Sequence, residues 1–213
     1  ILLAMPNIPQ TSKQKIINKL VKENFNVKTI AKTSQIINEN KKITNLSNIT
    51  ISDILDREEI PSISYLTKKN IKNKVVIVTG AGGSIGSELC EQVLDNKPKM
   101  LICLDNAEYS LYCLEKTLKT FSSKNKLNIK IIYKLGSIQD TFFLKNIFIN
   151  FTIDTIYHTA AYKHVPILEE NIVEGVKNNI FGTLAISELA VLNKVKTFIL
   201  ISSDKAVRPT NYM

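Results

Sequence analysis

The stretch Val75-Val76-Ile77-Val78-Thr79-Gly80-Ala81-Gly82-Gly83-Ser84-Ile85-Gly86-Ser87 decides how this chain is read. Four β-branched aliphatic residues run into a glycine-rich turn, and Ile85, Leu89 and Val93 behind it keep the spacing of a helix. A glycine cluster by itself is an ordinary turn. Between a strand and a helix it becomes a place for phosphate. Gly80 permits the tight reversal, Gly83 lets a pyrophosphate approach the backbone, and Gly86 lets the helix pack on the strand, with the helix N-terminus facing the negative charge. The glycines follow GxxGxxG, because Ile85 stands where the GxGxxG pattern has its third glycine. Gly80, Gly82, Gly83, Ser84, Ile85 and Gly86 are therefore candidate contacts of a dinucleotide.

Outward from this loop the pattern repeats. Apolar runs at 75–78, 100–104, 129–135, 153–157 and 197–201 alternate with helical spacings such as Leu111/Leu114/Leu118/Phe121, and residues 172–193 suit one long helix. Short buried strands alternating with helices predict an α/β fold, a doubly wound parallel sheet of five strands. The second strand ends in Asp105, where a carboxylate meets the adenosine ribose hydroxyls; Asn106 follows, with no arginine to receive a 2′-phosphate, so NAD is expected over NADP. The same carboxylate suits a cap on the helix starting near Ala107, and the two roles are compatible.

Upstream, residues 1–60 read as a partial αβ unit: a strand at 1–5, a helix carrying Ile16, Ile17, Leu20 and Val21, a strand at 27–30 and an apolar run at 51–55. Residues 61–73, with Pro61, read as a linker, and 74–213 as the dinucleotide-binding domain. The chain opens without an initiator methionine and stops soon after Arg208-Pro209, so both ends are expected to be cut.

Composition narrows the class. Hydrophobic residues at 44% and charged residues at 22% exclude a disordered or collagen-like chain. No apolar run approaches the roughly 20 residues of a membrane span. Cys90, Cys103 and Cys113 lack CxxC spacing and lie in apolar segments, so they are expected as buried thiols of a cytoplasmic protein. The net charge of +9 comes from scattered lysines without interleaved aromatics, which argues against nucleic acid. His158 and His164 have no companion ligands, so no metal is expected.

The phosphate loop, Leu104-Asp105-Asn106-Ala107-Glu108, His158-Thr159-Ala160-Ala161-Tyr162-Lys163-His164-Val165-Pro166, Asn178-Asn179-Ile180-Phe181-Gly182-Thr183 and Ser202-Ser203-Asp204-Lys205-Ala206-Val207-Arg208-Pro209-Thr210-Asn211 together resemble the CapD-like polysaccharide-biosynthesis proteins. These are nucleotide-sugar 4,6-dehydratases of the extended short-chain dehydrogenase/reductase superfamily. Residues 1–60 resemble the small domain preceding the catalytic one in the long, membrane-anchored members. The resemblance implies that Ala160 and Ala161 line the cofactor, that Asn179 supports the active site, and that Lys163, beyond a strand end, contacts cofactor or substrate.

The fifth strand runs straight into Ser203-Asp204-Lys205, which sets three polar side chains at the carboxyl edge of the sheet. The resemblance makes Asp204 the acid and Lys205 the base, with Ser203 bonded to the sugar C4 oxygen. It places Met213, beside Tyr212, where the superfamily's catalytic tyrosine usually stands. The expected reaction is dehydration of a UDP-sugar, UDP-N-acetylglucosamine first, for a bacterial surface glycan. Alternatives are a sugar epimerase and a non-catalytic NAD-binding module. The 213-residue piece alone is expected to be inactive. A homo-oligomer joined through the apolar face of 172–193 is expected, in the cytoplasm or at the inner face of the plasma membrane.

Overall fold

The computed structural model describes residues 1–5, 10–23, 25, 27–30, 46–48, 63–203 and 206. The chain divides into two compact units, residues 1–62 and residues 63–213.

In the first unit β1 (Leu2–Leu3) pairs parallel with β2 (Lys28–Ile30), and β2 pairs antiparallel with β3 (Leu46–Asn48). Helix α1 (Gln10–Lys22) joins β1 to β2, and its spacing turns Ile17 inward onto Leu3 and Val27, bordered by Ile16 and Leu20. Strand β3 lies in a stretch too polar to announce one, and the run 51–55 lies outside the described residues.

The second unit begins in the expected linker. Residues 61–73 carry helix α2 (Ser64–Ile71), a correction to the sequence reading. Ile71 is buried in the core, and the Asn70 carbonyl accepts the Thr155 hydroxyl at 2.6 Å. One buried side chain near the end of two turns is too faint a period to be read in advance.

Then follow β4 (Val75–Thr79), α3 (Ser84–Asp95), β5 (Met100–Asp105), α4 (Glu108–Lys124), β6 (Lys130–Leu135), α5 (Thr141–Asn150) and β7 (Thr155–His158). The chain continues through α6 (Val165–Glu170), α7 (Ile172–Val176), a π-helical segment (Lys177–Gly182), α8 (Thr183–Leu192) and β8 (Thr197–Leu200). The sheet is parallel in the order β6-β5-β4-β7-β8, the doubly wound Rossmann arrangement expected.

Alternation along the strands divides the core. Val76, Val78, Leu101 and Cys103 pack with α3 and α4 on one face, through Cys90, Leu94, Leu111 and Leu118. Val75, Ile77, Ile102 and Ile156 pack with α5 and α8 on the other, through Leu144, Ile147 and Ile186. Because both faces are covered, the central strands are mainly apolar, with the polar residues Thr79, Asp105 and His158 at their carboxyl ends, and β4 is buried at every position.

Two further expectations change. Cys90 and Cys103 are buried with sulfurs 3.7 Å apart, but Cys113 is exposed, because α4 turns Leu111, Leu114 and Leu118 inward and residue 113 falls off that stripe. Residues 172–192 do follow a continuous helical path, but it widens into π geometry between Lys177 and Gly182. Among the described residues no helix is long and apolar enough to cross a membrane.

Candidate functional site

From β4 the chain winds through β5 and β6 to one edge, then returns to start β7 on the other side of β4. The carboxyl ends of β4 and β7 therefore diverge, which is where ligands lodge in open α/β sheets. A cleft opens there. Gly80 and Gly83 line it after β4, Asp105 and Asn106 after β5, Gly136 and Ile138 after β6, and Thr159 to Tyr162 after β7, with Ser110 and Asn178 at its sides.

The phosphate loop is built by backbone contact. Gly80 has φ of +65°, and a β-carbon there would lie 2.8 Å from the Ala160 backbone. A β-carbon on Gly86 would collide with the Gly80 carbonyl, so helix α3 starts directly against the loop. Gly83 is the N-cap, with no acidic residue in the first turn, and Ser84 and Ile85 are exposed beside it. A helix N-terminus with no acidic residue in its own first turn suits a pyrophosphate.

Asp105, buried at the end of β5, spans two backbones. Its Oδ2 accepts the Gly82 N–H at 2.7 Å and its Oδ1 accepts the Ala107 N–H at 2.9 Å. Each oxygen retains a lone pair for a ribose hydroxyl. The cap is thus an Asx-type turn ahead of α4, whose own N-cap, Ala107, has no side-chain bond.

On the β7 side the Thr159 hydroxyl donates to the Thr79 carbonyl at 2.7 Å, and Ala160 and Ala161 line the cleft. The Asn179 amide clasps the Tyr162 backbone, accepting from N at 2.8 Å and donating to O at 2.9 Å. Asn179 supports this wall without lining the cleft; the neighbouring Asn178 lines it and is buried. Lys163 is exposed and outside the lining.

Behind the wall sits His158, buried between two threonines: Thr79 Oγ1 lies 2.6 Å from Nδ1 and Thr183 Oγ1 lies 2.9 Å from Nε2. Burial pulls its pKa from 6.5 down to about 4. The ring is therefore a neutral strut between β4 and the first turn of α8.

Strand β8 pairs with β7, and the Ile201 N–H donates to the His158 carbonyl at 2.9 Å. Exposed Ser203 follows, two residues further along this edge. Asp204, Lys205 and Met213 lie outside the described residues. Sequence reasoning missed Ser110, Gly136, Ile138 and Asn178. Two of them had a signal: Asn178 heads the segment 178–183 that carries the resemblance, and Gly136 is a glycine directly behind the run 129–135, where a β-carbon would strike the Phe143 ring.

Residues 76–213 match the family model described as polysaccharide biosynthesis protein. The chain belongs to that family. Within it, the chain is 33% identical over 215 residues to the capsular polysaccharide biosynthesis protein CapD of Staphylococcus aureus, covering 100% of this chain and 35% of CapD. It is 33% identical over 140 residues to the UDP-N-acetylglucosamine 4,6-dehydratase (inverting) of Campylobacter jejuni, covering 65% of this chain and 39% of the enzyme. The solved structure of Pen from Bacillus thuringiensis is 34% identical with a TM-score of 0.60, covering 67% of this chain and 43% of that one. UDP-glucose 4-epimerase from Bifidobacterium longum, solved with NAD+ and UDP, shares the fold at 23% identity and a TM-score of 0.52, covering 62% of this chain and 37% of that one. The chain thus spans about a third of the length of CapD.

Proposed function

We propose that this chain forms the cofactor side of a cytoplasmic, NAD-dependent nucleotide-sugar 4,6-dehydratase that takes a UDP-sugar, UDP-N-acetylglucosamine by preference, toward a surface glycan. The observation that carries the reading is the adjacency of β7 and β8. The residues after the first, Thr159 to Tyr162, line the cleft; the second ends beside them and leads to Ser203, with Asp204 and Lys205 next in the sequence.

The residues present fit a dinucleotide. The loop 80–86 and the α3 N-terminus would hold the pyrophosphate, Asp105 the adenosine ribose, and Ala160 and Ala161 the flank of the nicotinamide ribose. When bound, the nicotinamide would take a hydride from sugar C4 and return it at C6. The protein supplies the proton transfers. Ser203 hydrogen-bonds the C4 oxygen, and the proton of the C4 hydroxyl passes to the Asp204 carboxylate as that carbon becomes a ketone; Lys205 takes the C5 proton that the ketone acidifies, Asp204 gives its proton to the C6 hydroxyl, which departs as water, and Lys205 returns its proton to C5. Met213, with no exchangeable proton, leaves that work to the pair. Lys163 meets substrate from the rim. The protein works as a homo-oligomer.

Incubating the intact gene product with UDP-N-acetylglucosamine tests the reading. A 4-keto-6-deoxy product supports it. A C4 epimer assigns an epimerase, and NAD binding without turnover assigns a non-catalytic module.

A further inference from the structure

All five strands of the second unit run parallel, so their entry ends share the edge of the sheet opposite the cleft. In sheet order the residues on that edge are Lys130, Lys99, Lys74, Asp154 and Lys196; Lys130 opens β6, and the others stand immediately before β5, β4, β7 and β8. Backbone bonds knit them into a row. The Lys99 N–H donates to the Lys74 carbonyl at 2.8 Å, and the Lys196 N–H to the Asp154 carbonyl at 3.2 Å. With strands about 4.8 Å apart, the row sets four ammonium groups across roughly 20 Å, close enough for their fields to add.

The turns feeding this edge add more charge. Lys97, Lys126 and Lys194 each stand one residue beyond the C-cap asparagine of α3, α4 and α8, and have φ of 55°, 52° and 55°. This is the left-handed position that glycine fills at least cost. A chain rich in lysine and asparagine places lysines on every face. Lysine in place of glycine at the strained position after three separate helices distinguishes this edge. All three are exposed.

Two acids stand at this edge against its lysines: exposed Asp95, in the last turn of α3, and Asp154. Asp154 is engaged already, its Oδ2 accepting the Val75 N–H at 3.0 Å and its Oδ1 lying 3.6 Å from Lys196 Nζ. Among the described residues, Lys196 is the one lysine of this edge in an ion pair. Helix α2 ends here too, through the bond from Thr155 to Asn70, and carries exposed Lys68 and Lys69 near exposed Ile63, Tyr65 and Leu66.

We propose that this lysine edge, with the N-terminal part of α2, is a docking surface for an anionic phospholipid bilayer, holding the cleft toward the aqueous side. The row offers point charges on flexible stems, without arginine forks or a groove with stacked aromatics. Such an array suits the diffuse negative potential of a lipid surface, and the apolar side chains of α2 suit the headgroup level. The proposal does not depend on the reaction assigned to the cleft.

The test uses the 213-residue chain and sedimentation with vesicles at about 0.1 M salt, where surface charge is felt over about 10 Å. Binding to phosphatidylglycerol-containing vesicles is expected, with little binding to pure phosphatidylcholine. The combined variant Lys97→Gly, Lys126→Gly, Lys194→Gly should bind about a hundredfold more weakly, because each lysine contributes separately near an anionic surface. Glycine relaxes each turn, so thermal unfolding should show the variant at least as stable as the parent. Lys116→Gln, Lys119→Gln, Lys145→Gln, which removes the same charge from helix flanks, should bind nearly as the parent does. Equal binding to neutral vesicles, or equal losses in the two variants, overturns the proposal. So does single-stranded RNA bound in preference to vesicles and lost in the glycine variant, which reassigns the edge to nucleic acid.

Discussion

The carboxylate of Asp105 accepts the Gly82 N–H at 2.7 Å, tying the end of the second parallel strand to the phosphate loop that follows the first. The group placed to read the cofactor's ribose is thus also a brace of the loop placed to hold its phosphates. Substitution at 105 should affect both. Asp105→Ala is expected to lower stability by about 1–3 kcal/mol, the range for losing charge-assisted bonds while leaving buried donors unmet, and to weaken NAD binding. Paired thermal unfolding and cofactor titration check this; a variant that loses affinity with unchanged stability would show that the brace carries no load.

The same carboxylate bears on cofactor choice. A 2′-phosphate beside Asp105 would meet like charge, costing on the order of 1 kcal/mol or more at partly buried range. Side-by-side titrations of the intact protein should show NAD bound more tightly than NADP, and the reverse order would refute the ribose assignment.

The loop glycines should not be equivalent. Gly86→Ala drives a β-carbon into the Gly80 carbonyl, whereas the nearest atom to a β-carbon on Gly83 is that oxygen at 3.2 Å. The first is expected to cost about 1–3 kcal/mol of stability as an overpacked site. The second should leave the melting temperature nearly unchanged yet reduce cofactor affinity, since Gly83 faces the cleft. Equal effects on stability would remove the distinction.

His158 sets a pH dependence. Its folded pKa of about 4 lies below the ordinary 6.5, so between these values the unfolded chain binds the proton that the folded chain refuses. Stability from this group is therefore full above about pH 7, falls as pH drops through that window, and falls no further below its lower limit; the whole change is at most about 3 kcal/mol. Denaturant titrations across the window should show this slope in the parent and a shallower one in His158→Gln. Parallel curves would contradict the buried neutral ring.

How much of this was legible in the sequence depended on how local each signal was. Strands such as β4 declare themselves because burial on both faces calls for an unbroken apolar run, here Val75 to Val78, and the loop declares itself because glycine alone fits where Gly80 and Gly86 approach neighbouring backbone. Helix α2 reads as a linker in the sequence because Ile71 alone of its described side chains is buried. Asn178 and Ser110 reach the cleft from separate helices, and their adjacency to it exists only once the sheet has formed. The π segment was hidden because its residues keep an ordinary helical pattern while the backbone widens by one residue per turn.

The face of the helical stretch 172–192 leaves Ile180, Phe181 and Leu184 exposed at 57%, 59% and 48%. The intact protein is expected to self-associate through it. Phe181→Asp with Leu184→Asp should shift sedimentation toward monomer without altering the far-ultraviolet circular dichroism, and a parent that is monomeric at micromolar concentration would count against the interface.

The dehydration proposed for Ser203, Asp204 and Lys205 is tested by incubating the intact gene product, and its Asp204→Asn and Lys205→Ala variants, with UDP-N-acetylglucosamine and following the sugar by proton NMR. The parent should yield a 4-keto-6-deoxy product, and each variant should fall in turnover ~100 to 10,000-fold with NAD binding nearly intact. Epimerisation at C4 without loss of water, or near-parental turnover in either variant, would contradict it.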